Sequence, residues 1–507
     1  MLRPSDTEAT DDEEKPMNTS LLLMLSVFMA PGWPNVRVDH QDQSKYTCGY
    51  CAIALGPGAP SSQPVYVAFE GDTLPGGRCD VWFQRSLDGG RTWLPEDRLI
   101  RRGDRYAAEP DITTDSDGNV YVEYLDEYID TLGGRHYHIS CVRSSDGGAT
   151  WTAPARVDDD SSNAAAIGTA QIAADSAGDL LCAWNDNRTT GLHIWSAVST
   201  DRGETWGRNV QVDDDTTDYD CYNPDVSIQP GTNHYLVVAE VPRWFETIPH
   251  IRMGAEFYRS TDRGQTFQSG VRLDTFDEYS ASPHVVADRD HIICDYLGQG
   301  QSTPMLAEAR TFYTQPDTWG KPSSIINPDS FHVDDMSAPA LSADGRVHTA
   351  LYQGRHVYYT SSLDDGVSWS DPTQVNEDTL NTAFPDIGAD SDGYAYVVWG
   401  QGGSAGGCYR IWFATNNPLA IAEQPPQQPI GVPPLATVIR NVLFLAERPS
   451  SSPSASCLLD IGGRQVLALK PGANDVSRLS PGVYFIREGL GIRGEGSGKM
   501  RKIVVTR

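Results

Sequence analysis

A phrase of eight residues returns five times along the chain, and no other feature limits the possible folds as strongly. Each copy has a Ser, an Asp two positions later, a Gly two positions after that, and an aromatic residue at its end. The copies begin at Ser86, Ser144, Ser199, Ser260 and Ser362. An Asp side chain can close a tight turn by accepting backbone N–H groups, and the Gly supplies a positive φ. The repetition therefore indicates stacked copies of one supersecondary unit.

A second phrase precedes these turns. It consists of two short alternating apolar runs around a polar turn, as in 110–122, and this pattern is typical of a β-hairpin. Hairpins of this kind start near residues 51, 109, 169, 223, 282, 338 and 384. A third run, the Asp turn and a fourth run follow. Four antiparallel strands in roughly 50–60 residues make one propeller blade.

The seventh unit ends after its third run and lacks a fourth. The segment 35–39, Asn-Val-Arg-Val-Asp, is similar to the fourth runs at 209–213 and 270–274. We expect the N-terminal strand to pair into the last unit and close the ring, because closure removes exposed sheet edges. The sequence therefore predicts an all-β propeller over 35–417, with seven blades and six as the alternative.

The five Ser-x-Asp-x-Gly-x-Thr-Trp phrases resemble the Asp box, or BNR repeat, of sialidases and related β-propellers. The resemblance implies that the repeated aspartates are structural turn locks. They are Asp88, Asp146, Asp201, Asp262 and Asp364. Sialidases hold a substrate carboxylate with three arginines, and they use a Tyr nucleophile with a Glu and an acid/base Asp. Their Arg-Ile-Pro phrase is absent here.

Sites of propellers usually lie on the face opposite to the Asp boxes. The loops expected there carry carboxylates, tyrosines and a few arginines, which suits sugar recognition and paired-carboxylate hydrolysis. The candidate catalytic residues are Asp218, Asp220, Tyr222, Glu278 and Tyr279, and the candidate substrate-binding residues are Arg105, Arg188 and Arg243. An ion pair of Arg188 with Asp186 is the structural alternative for that arginine.

The formal net charge of −29, from 68 acidic and 39 basic residues, excludes a phosphate-binding nucleic-acid partner. No cofactor is predicted. The runs 158–160 and 213–215 could ligate Ca²⁺, although solvated acidic turns are the simpler interpretation. Buried thiols are expected at Cys141, Cys182 and Cys294, and no zinc site at the lone Cys48–Cys51 pair.

Both ends of the chain differ in composition from the repeats. The apolar run at 21–30 is too short to span a bilayer and suits a leader, so 1–34 is predicted as a signal segment. A Pro-rich linker is expected at 418–435, followed by a small β-sandwich-like domain at 436–507. Its phrases at 458–466, 479–485 and 502–507 resemble the C-terminal sorting domains of type IX secretion. The resemblance implies contact with that secretion machinery and a secreted or cell-surface protein.

Two functions remain open at this stage. The first is an exported, sialidase-like propeller that acts on or binds glycans or glycoproteins, with exo-glycosidase activity of the sialidase type. The second is a non-catalytic extracellular propeller for adhesion or interaction. Arginines that converge on one point would favour the first function, and scattered arginines would favour the second.

Overall fold

The computed structural model describes residues 33–40, 49–72, 79–101, 106–129, 131–160, 167–214, 219–244, 251–274, 279–299, 305–315, 317–326, 333–377, 381–402, 409–419, 437–439, 442–445, 456–460, 464–470, 472–476, 478–488 and 499–505. The chain divides into two compact units, Met1–Ala422 and Glu423–Arg507. Across the described ranges the structure is all-β, apart from a 3₁₀ turn at Pro60–Ser62. No helix in those ranges is long and apolar enough to cross a membrane.

The first unit contains seven antiparallel sheets within the described residues, which we number in chain order. Strands are given from the innermost outwards. Sheet 1 has Cys51–Leu55, Val65–Asp72, Cys79–Ser86 and Arg98–Arg101; sheet 2 has Ala107–Thr114, Val120–Ile129, Arg135–Ser144 and Ala155–Arg156. Sheet 3 has Ile167–Ala174, Leu180–Thr189, Gly191–Ser199 and Val210–Gln211; sheet 4 has Tyr222–Ile228, Tyr235–Trp244, Ile251–Ser260 and Val271–Arg272.

The remaining three sheets follow the same plan with small additions. Sheet 5 has Tyr279–Ala287, His291–Gln299, Leu306–Tyr313, Thr318–Trp319 and Ser323–Ser324. Sheet 6 has Asp335–Met336, Ala340–Leu341, Val347–Gln353, His356–Ser362 and Thr373–Gln374. Sheet 7 has Asn381–Ala389, Ala395–Gly402, Tyr409–Thr415 and Val36–Arg37.

The apolar core lies between neighbouring sheets. Seven clusters of buried side chains join sheets 1 and 2, 2 and 3, 3 and 4, 4 and 5, 5 and 6, 6 and 7, and 7 and 1 within the described residues. Aromatic residues such as Tyr124, Trp184 and Trp399 are fully buried in them. The sheets therefore form a closed ring, which is the arrangement of a β-propeller.

The N-terminal strand closes this ring. Val36 pairs with Phe413, and Arg37 pairs with Trp412. One residue further, the Asp39 carboxylate accepts the backbone N–H of Ile411 at 2.9 Å. The fourth strand of sheet 7 thus comes from the opposite end of the unit, so that the last sheet cannot be completed without the first residues of the ring.

The Asp boxes close the turns between the third and fourth strands. In the first box, Asp88 Oδ1 accepts the Ser86 hydroxyl at 2.7 Å and the Thr92 N–H at 2.9 Å, and Oδ2 accepts the Thr92 hydroxyl at 2.7 Å. The boxes of Asp146, Asp201, Asp262 and Asp364 repeat these contacts. Both oxygens of each of these carboxylates are therefore engaged in hydrogen bonds within their own turn.

The second unit is a small β-structure. Its five-stranded sheet has, in spatial order, Thr437–Ile439, Lys499–Val505, Gly482–Glu488, Ser456–Leu459 and Gln465–Leu469. A separate pair joins Val442–Leu445 to Gly472–Asp475. Leu458, Val476 and Ile486 are buried in its core.

Candidate functional site

A cavity of about 680 Å³ opens between the innermost strands, and all seven sheets contribute to its wall. We call it the central cavity. Its charged side chains are five carboxylates and one histidine: Glu109, Asp111, Asp225, His284, Asp335 and Asp386. No Lys or Arg of the described ranges lines it. The cavity therefore has a strongly acidic wall in the part of the chain that the structure describes.

Four innermost strands share one irregularity where they border this cavity. Glu109, Asn223, Ser282 and Phe384 have φ values of 50, 47, 45 and 49°, and a proline follows each of them. The pairing with the second strand shifts register at these places. Positive φ is unfavourable for such residues, but a β-bulge re-aims the side chains around it. The bulge is thus a recurring device that shapes the cavity wall.

Three carboxyl groups just beyond these bulges join neighbouring sheets. Oδ2 of Asp111, Asp225 and Asp386 accepts a backbone N–H of the following sheet, from Ile172, Val285 and Ile53 at 2.8, 2.7 and 2.8 Å. Burial raises the pKa of Asp111 to about 8 and that of Asp386 to about 6. Because these carboxyl groups hold the ring together, they are fixed parts of the wall.

Four more acidic residues interrupt the apolar second strands. Glu70, Glu123, Glu240 and Asp295 are between 0 and 4% exposed. Burial raises the pKa of Glu123 well above its usual range, and the nearby carboxyl groups of Asp111 and Glu109 add to the effect. Buried acids are unfavourable unless they are paired or neutral, so their recurrence on the second strands of four sheets indicates a specific purpose.

Glu240 occupies a central position among the candidate residues. Its Oε1 accepts the Asn223 side-chain amide and the Ser282 backbone N–H, both at 2.8 Å. Burial raises the pKa of Glu240. The pKa values of Tyr222 and Tyr279 are raised by burial first, and the charge of Glu240 contributes to both. Glu240 therefore lies close to two of the tyrosines predicted from the sequence.

His284 supplies the positive charge of the described cavity wall. Its Nδ1 lies 3.1 Å from Asp295 Oδ1. Burial lowers the pKa of His284, but the hydrogen bond and charge of Asp295, with the charges of Asp225 and Asp335, outweigh that effect and raise it to about 9. An imidazolium is consequently held among carboxylates, and it can donate its second N–H.

Glu109 has the features of a proton donor. Its backbone N–H donates to Glu70, which fixes the bulge, while its side chain lines the cavity. Burial raises the pKa of Glu109, and its buried Oε2 has no hydrogen-bond partner among the described residues. A carboxyl group with a raised pKa and an unengaged oxygen can act as a general acid.

Aromatic rings border the same cavity. Tyr50 and Phe384 stack with ring centroids 3.9 Å apart and an angle of 19°, and both line the wall. Tyr222 is 38% exposed, and its hydroxyl donates to Asp220 Oδ2 at 2.9 Å. Asp220 Oδ1 in turn accepts the Leu192 N–H at 2.8 Å, so that Asp220 fixes Tyr222 against sheet 3.

The structure describes three of the five predicted catalytic residues. Asp220, Tyr222 and Tyr279 lie in the described ranges, and Tyr222 and Tyr279 lie near Glu240. Asp218 and Glu278 lie outside the described residues, as does Arg105. Their roles remain predictions.

The two described arginines of the predicted set each bind carboxylates at their own sheet. Arg188 binds Asp186 through Nε, 2.9 Å from both carboxylate oxygens, and Asp159 through Nη1 at 2.8 Å. It also lies 4.3 Å from the Trp195 ring centroid. Arg243 forms an ion pair with Glu256. Neither arginine belongs to the cavity wall, so these two guanidinium groups do not converge there.

The acidic runs predicted as solvated turns require a correction. Asp158 and Asp213 are 3 and 4% exposed. Each accepts a backbone N–H of the neighbouring third strand, from Ile139 at 2.9 Å and from Ile194 at 2.6 Å. The first carboxylate of each run is therefore a buried strand lock, because it satisfies a donor that would otherwise be unpaired.

Sequence reasoning missed Glu70, Glu240 and Asp295. Their signal was available, since each second-strand acid stands inside a run of apolar residues, as in Leu-Val-Val-Ala-Glu-Val at 236–241. The candidate residues predicted from the sequence came from the expected loops, where charged residues are common. A charge in an apolar strand carries more information, because burying it is costly.

Comparisons with known proteins show no family for this chain. No protein-family model matches the chain, and no curated protein matches it. The solved structures that it resembles include a Penicillium chrysogenum α-L-arabinanase, at 15% identity over 76% of this chain and 98% of that one, with a TM-score of 0.45. A polysaccharide lyase described as an ulvan lyase is 11% identical over 75% of this chain and 95% of that one, with a TM-score of 0.49. The Trypanosoma rangeli sialidase is 13% identical over 64% of this chain and 56% of that one, with a TM-score of 0.41. These values describe a likeness of fold and say nothing about the activity of this chain.

Proposed function

We propose that the central cavity binds saccharides that carry no acidic group. Sugar hydroxyls supply hydrogen-bond donors, and the carboxylates of the wall supply acceptors. The rings of Tyr222 and Tyr279 provide apolar faces beside Glu240, which suits the mixed apolar and polar surface of a pyranose. His284 lines the cavity, and Glu240 holds two residues of the wall, Asn223 and Ser282, so that both would help to orient the bound sugar.

The acidity of the cavity wall carries this proposal. Five carboxylates and one histidine line it, and no Lys or Arg does so within the described ranges. A substrate carboxylate would find no guanidinium or ammonium partner in this wall, since its cation, His284, is already paired with Asp295, and an unpaired buried charge is unfavourable. Arg188 and Arg243 are engaged elsewhere. The proposal therefore does not extend to sialosides.

Glycoside hydrolysis is a second candidate for the same cavity, and Glu109 is the observation that favours it. Its raised pKa and unengaged buried oxygen suit protonation of a leaving oxygen. Glycosidases pair such an acid with an ionised carboxylate, and Asp335 on sheet 6 is another carboxylate of the same cavity wall. If no bond is cleaved, the protein is a binding module, which was the alternative from the sequence.

A panel experiment tests both candidates. The full chain is incubated with fluorogenic glycosides, including a sialoside, and is applied to a glycan array. We expect binding to neutral glycans and none to sialosides; release from a neutral glycoside would add hydrolysis. Binding confined to sialylated or sulfated glycans would overturn the proposal. A Glu109→Gln variant that keeps full turnover would remove Glu109 as the acid.

Export by a type IX pathway is proposed for the second unit. The support is the order of its three phrases, each of which overlaps a described strand: Ser456–Leu459, Gly482–Glu488 and Lys499–Val505. Expression in a host with that pathway tests it, with and without residues 436–507. The truncated chain should stay inside the cell, and equal export of both forms would contradict the proposal.

A further inference from the structure

In five of the seven sheets, a described residue at the end of the fourth strand accepts a backbone N–H of the third strand. Four of the five residues are aspartates, and the fifth is Asn376 in sheet 6. Asp39, Asp158, Asp213 and Asp274 accept backbone N–H groups of the neighbouring third strand. In three of the four, an arginine two positions earlier pairs with the carboxylate: Arg37, Arg156 and Arg272. A buried negative charge is thereby compensated by a guanidinium.

Sheet 3 departs from this rule. Gln211 stands where the other three sheets have arginine, yet Asp213 is 4% exposed. Among the described residues, its ion-pair partner is His193, whose Nδ1 lies 2.8 Å from Asp213 Oδ1. The compensating charge of this blade must therefore come from a different source.

The contacts of His193 suit a cation at this point. Its Nε2 lies 3.1 Å from the Thr190 carbonyl oxygen, which fits an Nε2–H donor. Nδ1 would then present a lone pair to a carboxylate oxygen, and two acceptors do not approach to 2.8 Å without a cation between them. That cation is either a second proton on the imidazole or a metal ion.

The surrounding atoms suit a metal ion. The Gln211 side-chain amide lies 3.2 Å from His193 Nδ1 and 3.3 Å from Asp213 Oδ1, and rotation of that amide would present its oxygen. Tetrahedral zinc with nitrogen and oxygen ligands separates them by about 3.3 Å, so His193 Nδ1 and Asp213 Oδ1, which lie 2.8 Å apart, would move apart by about 0.5 Å on binding. The Cys221 sulfur lies within 4.8 Å of the ligand atoms of His193 and Asp213, because the Cys221 N–H is bonded to the Leu192 carbonyl at 2.8 Å.

We propose that sheet 3 holds a structural Zn²⁺ ion, with His193 Nδ1, Asp213 Oδ1, Cys221 Sγ and Gln211 Oε1 as ligands. The single negative charges of a thiolate and a carboxylate would together balance the two positive charges of the ion, which suits a buried site. The Thr190 carbonyl would orient the imidazole as metal-bound histidines require, and the Ile194 N–H would hold the carboxylate. The ion would replace the arginine of the other blades.

Zinc content tests the proposal on the full chain. The protein is incubated with zinc sulfate, desalted in the presence of a weak chelator and measured by elemental mass spectrometry. Variants Cys221→Ser and Gln211→Arg are compared with His138→Gln, because sheet 2 has the same His–Asp pair, 3.2 Å apart, beside Arg156. Cobalt loading gives a second readout, since a thiolate ligand produces a charge-transfer absorption in the near ultraviolet.

We expect about one zinc per chain in the unchanged protein and in His138→Gln, and less than about a tenth of that in the other two variants. Gln211→Arg restores the guanidinium of the other blades, so it should fold without metal. The proposal is overturned if the unchanged protein retains no zinc, which would assign the charge to an imidazolium. It is equally overturned if Gln211→Arg or Cys221→Ser retains zinc, or if His138→Gln loses it.

Discussion

The carboxyl group of Asp386 in sheet 7 accepts the backbone N–H of Ile53 in sheet 1 at 2.8 Å, and so joins the last sheet of the ring to the first. The same carboxyl group accepts the Ile387 N–H at 2.8 Å. Both bonds favour an ionised group, yet burial is the larger effect and raises the pKa of Asp386 to about 6. A seam of the ring thus contains a titratable contact.

Stability should fall as the pH rises through the range in which this group ionises. The pKa of Asp386 is 3.8 in its ordinary state and about 6 in the fold, so the native state binds more protons between these values. The free energy of unfolding therefore decreases from pH 4 to pH 6 by up to about 3 kcal/mol from this group. His284, whose pKa is raised to about 9, adds a loss of stability above pH 6.5.

Urea unfolding at several pH values measures this dependence. Asp386→Asn should flatten the slope between pH 4 and pH 6, while Asp392→Asn, which changes an exposed carboxylate of the same sheet, should leave it unchanged. An Asp386→Asn protein with the parent slope would show that Asp386 does not titrate in this range.

Removal of the closing strand should destabilise the entire first unit. Asp39 binds the Ile411 N–H and Arg37, so Asp39→Ala leaves a buried donor and a cation without their partner. We expect a loss of about 2–4 kcal/mol in one cooperative transition. Deletion of 35–39 should cost more.

Differential scanning calorimetry checks this prediction. Asp371→Ala serves as the control, because that aspartate is exposed on sheet 6. If the deletion of 35–39 melted like the parent, the ring would not depend on its closing strand.

The glycines of the Asp boxes should be intolerant of a side chain for two reasons. Gly148 has φ 81°, and a Cβ there would lie 2.2 Å from the Phe83 ring of sheet 1. Gly133 has φ 87° but no atom within 4 Å of such a Cβ. Gly148→Ala should therefore cost several kcal/mol, and Gly133→Ala about 1 kcal/mol. Chemical denaturation measures both, and equal costs would mean that Gly148 contributes only its backbone conformation.

The fold could be predicted from the sequence because its units repeat. Hairpin starts expected near 109, 169 and 223 correspond to strands that begin at Ala107, Ile167 and Tyr222, and Asn35–Asp39 contains the closing strand. A turn that needs Asp and Gly at fixed positions leaves a regular mark on the sequence.

The cavity wall could not be predicted in the same way. Residues such as Asp225, His284 and Asp386 come together only because innermost strands of different sheets meet around one axis. The bulge at Ser282 also interrupts the pairing of its strand, so the side chains that face the cavity cannot be identified from strict alternation along the strand. Arg188 was misleading as a candidate for a related reason, since Asp186 and Asp159 neutralise it locally.

The affinity of a Glu240→Gln protein for the neutral saccharide selected by the glycan panel tests the proposed function. Gln can still accept the amide of Asn223 and the N–H of Ser282 through its oxygen, so the fold should persist. We expect binding at least about tenfold weaker by calorimetric titration, because the negative charge that holds Asn223 and Ser282 at the cavity wall is lost. The control Glu204→Gln, which changes an exposed residue of an Asp box, should bind as the parent does. Unchanged affinity in Glu240→Gln would contradict the assignment of the central cavity as the saccharide site.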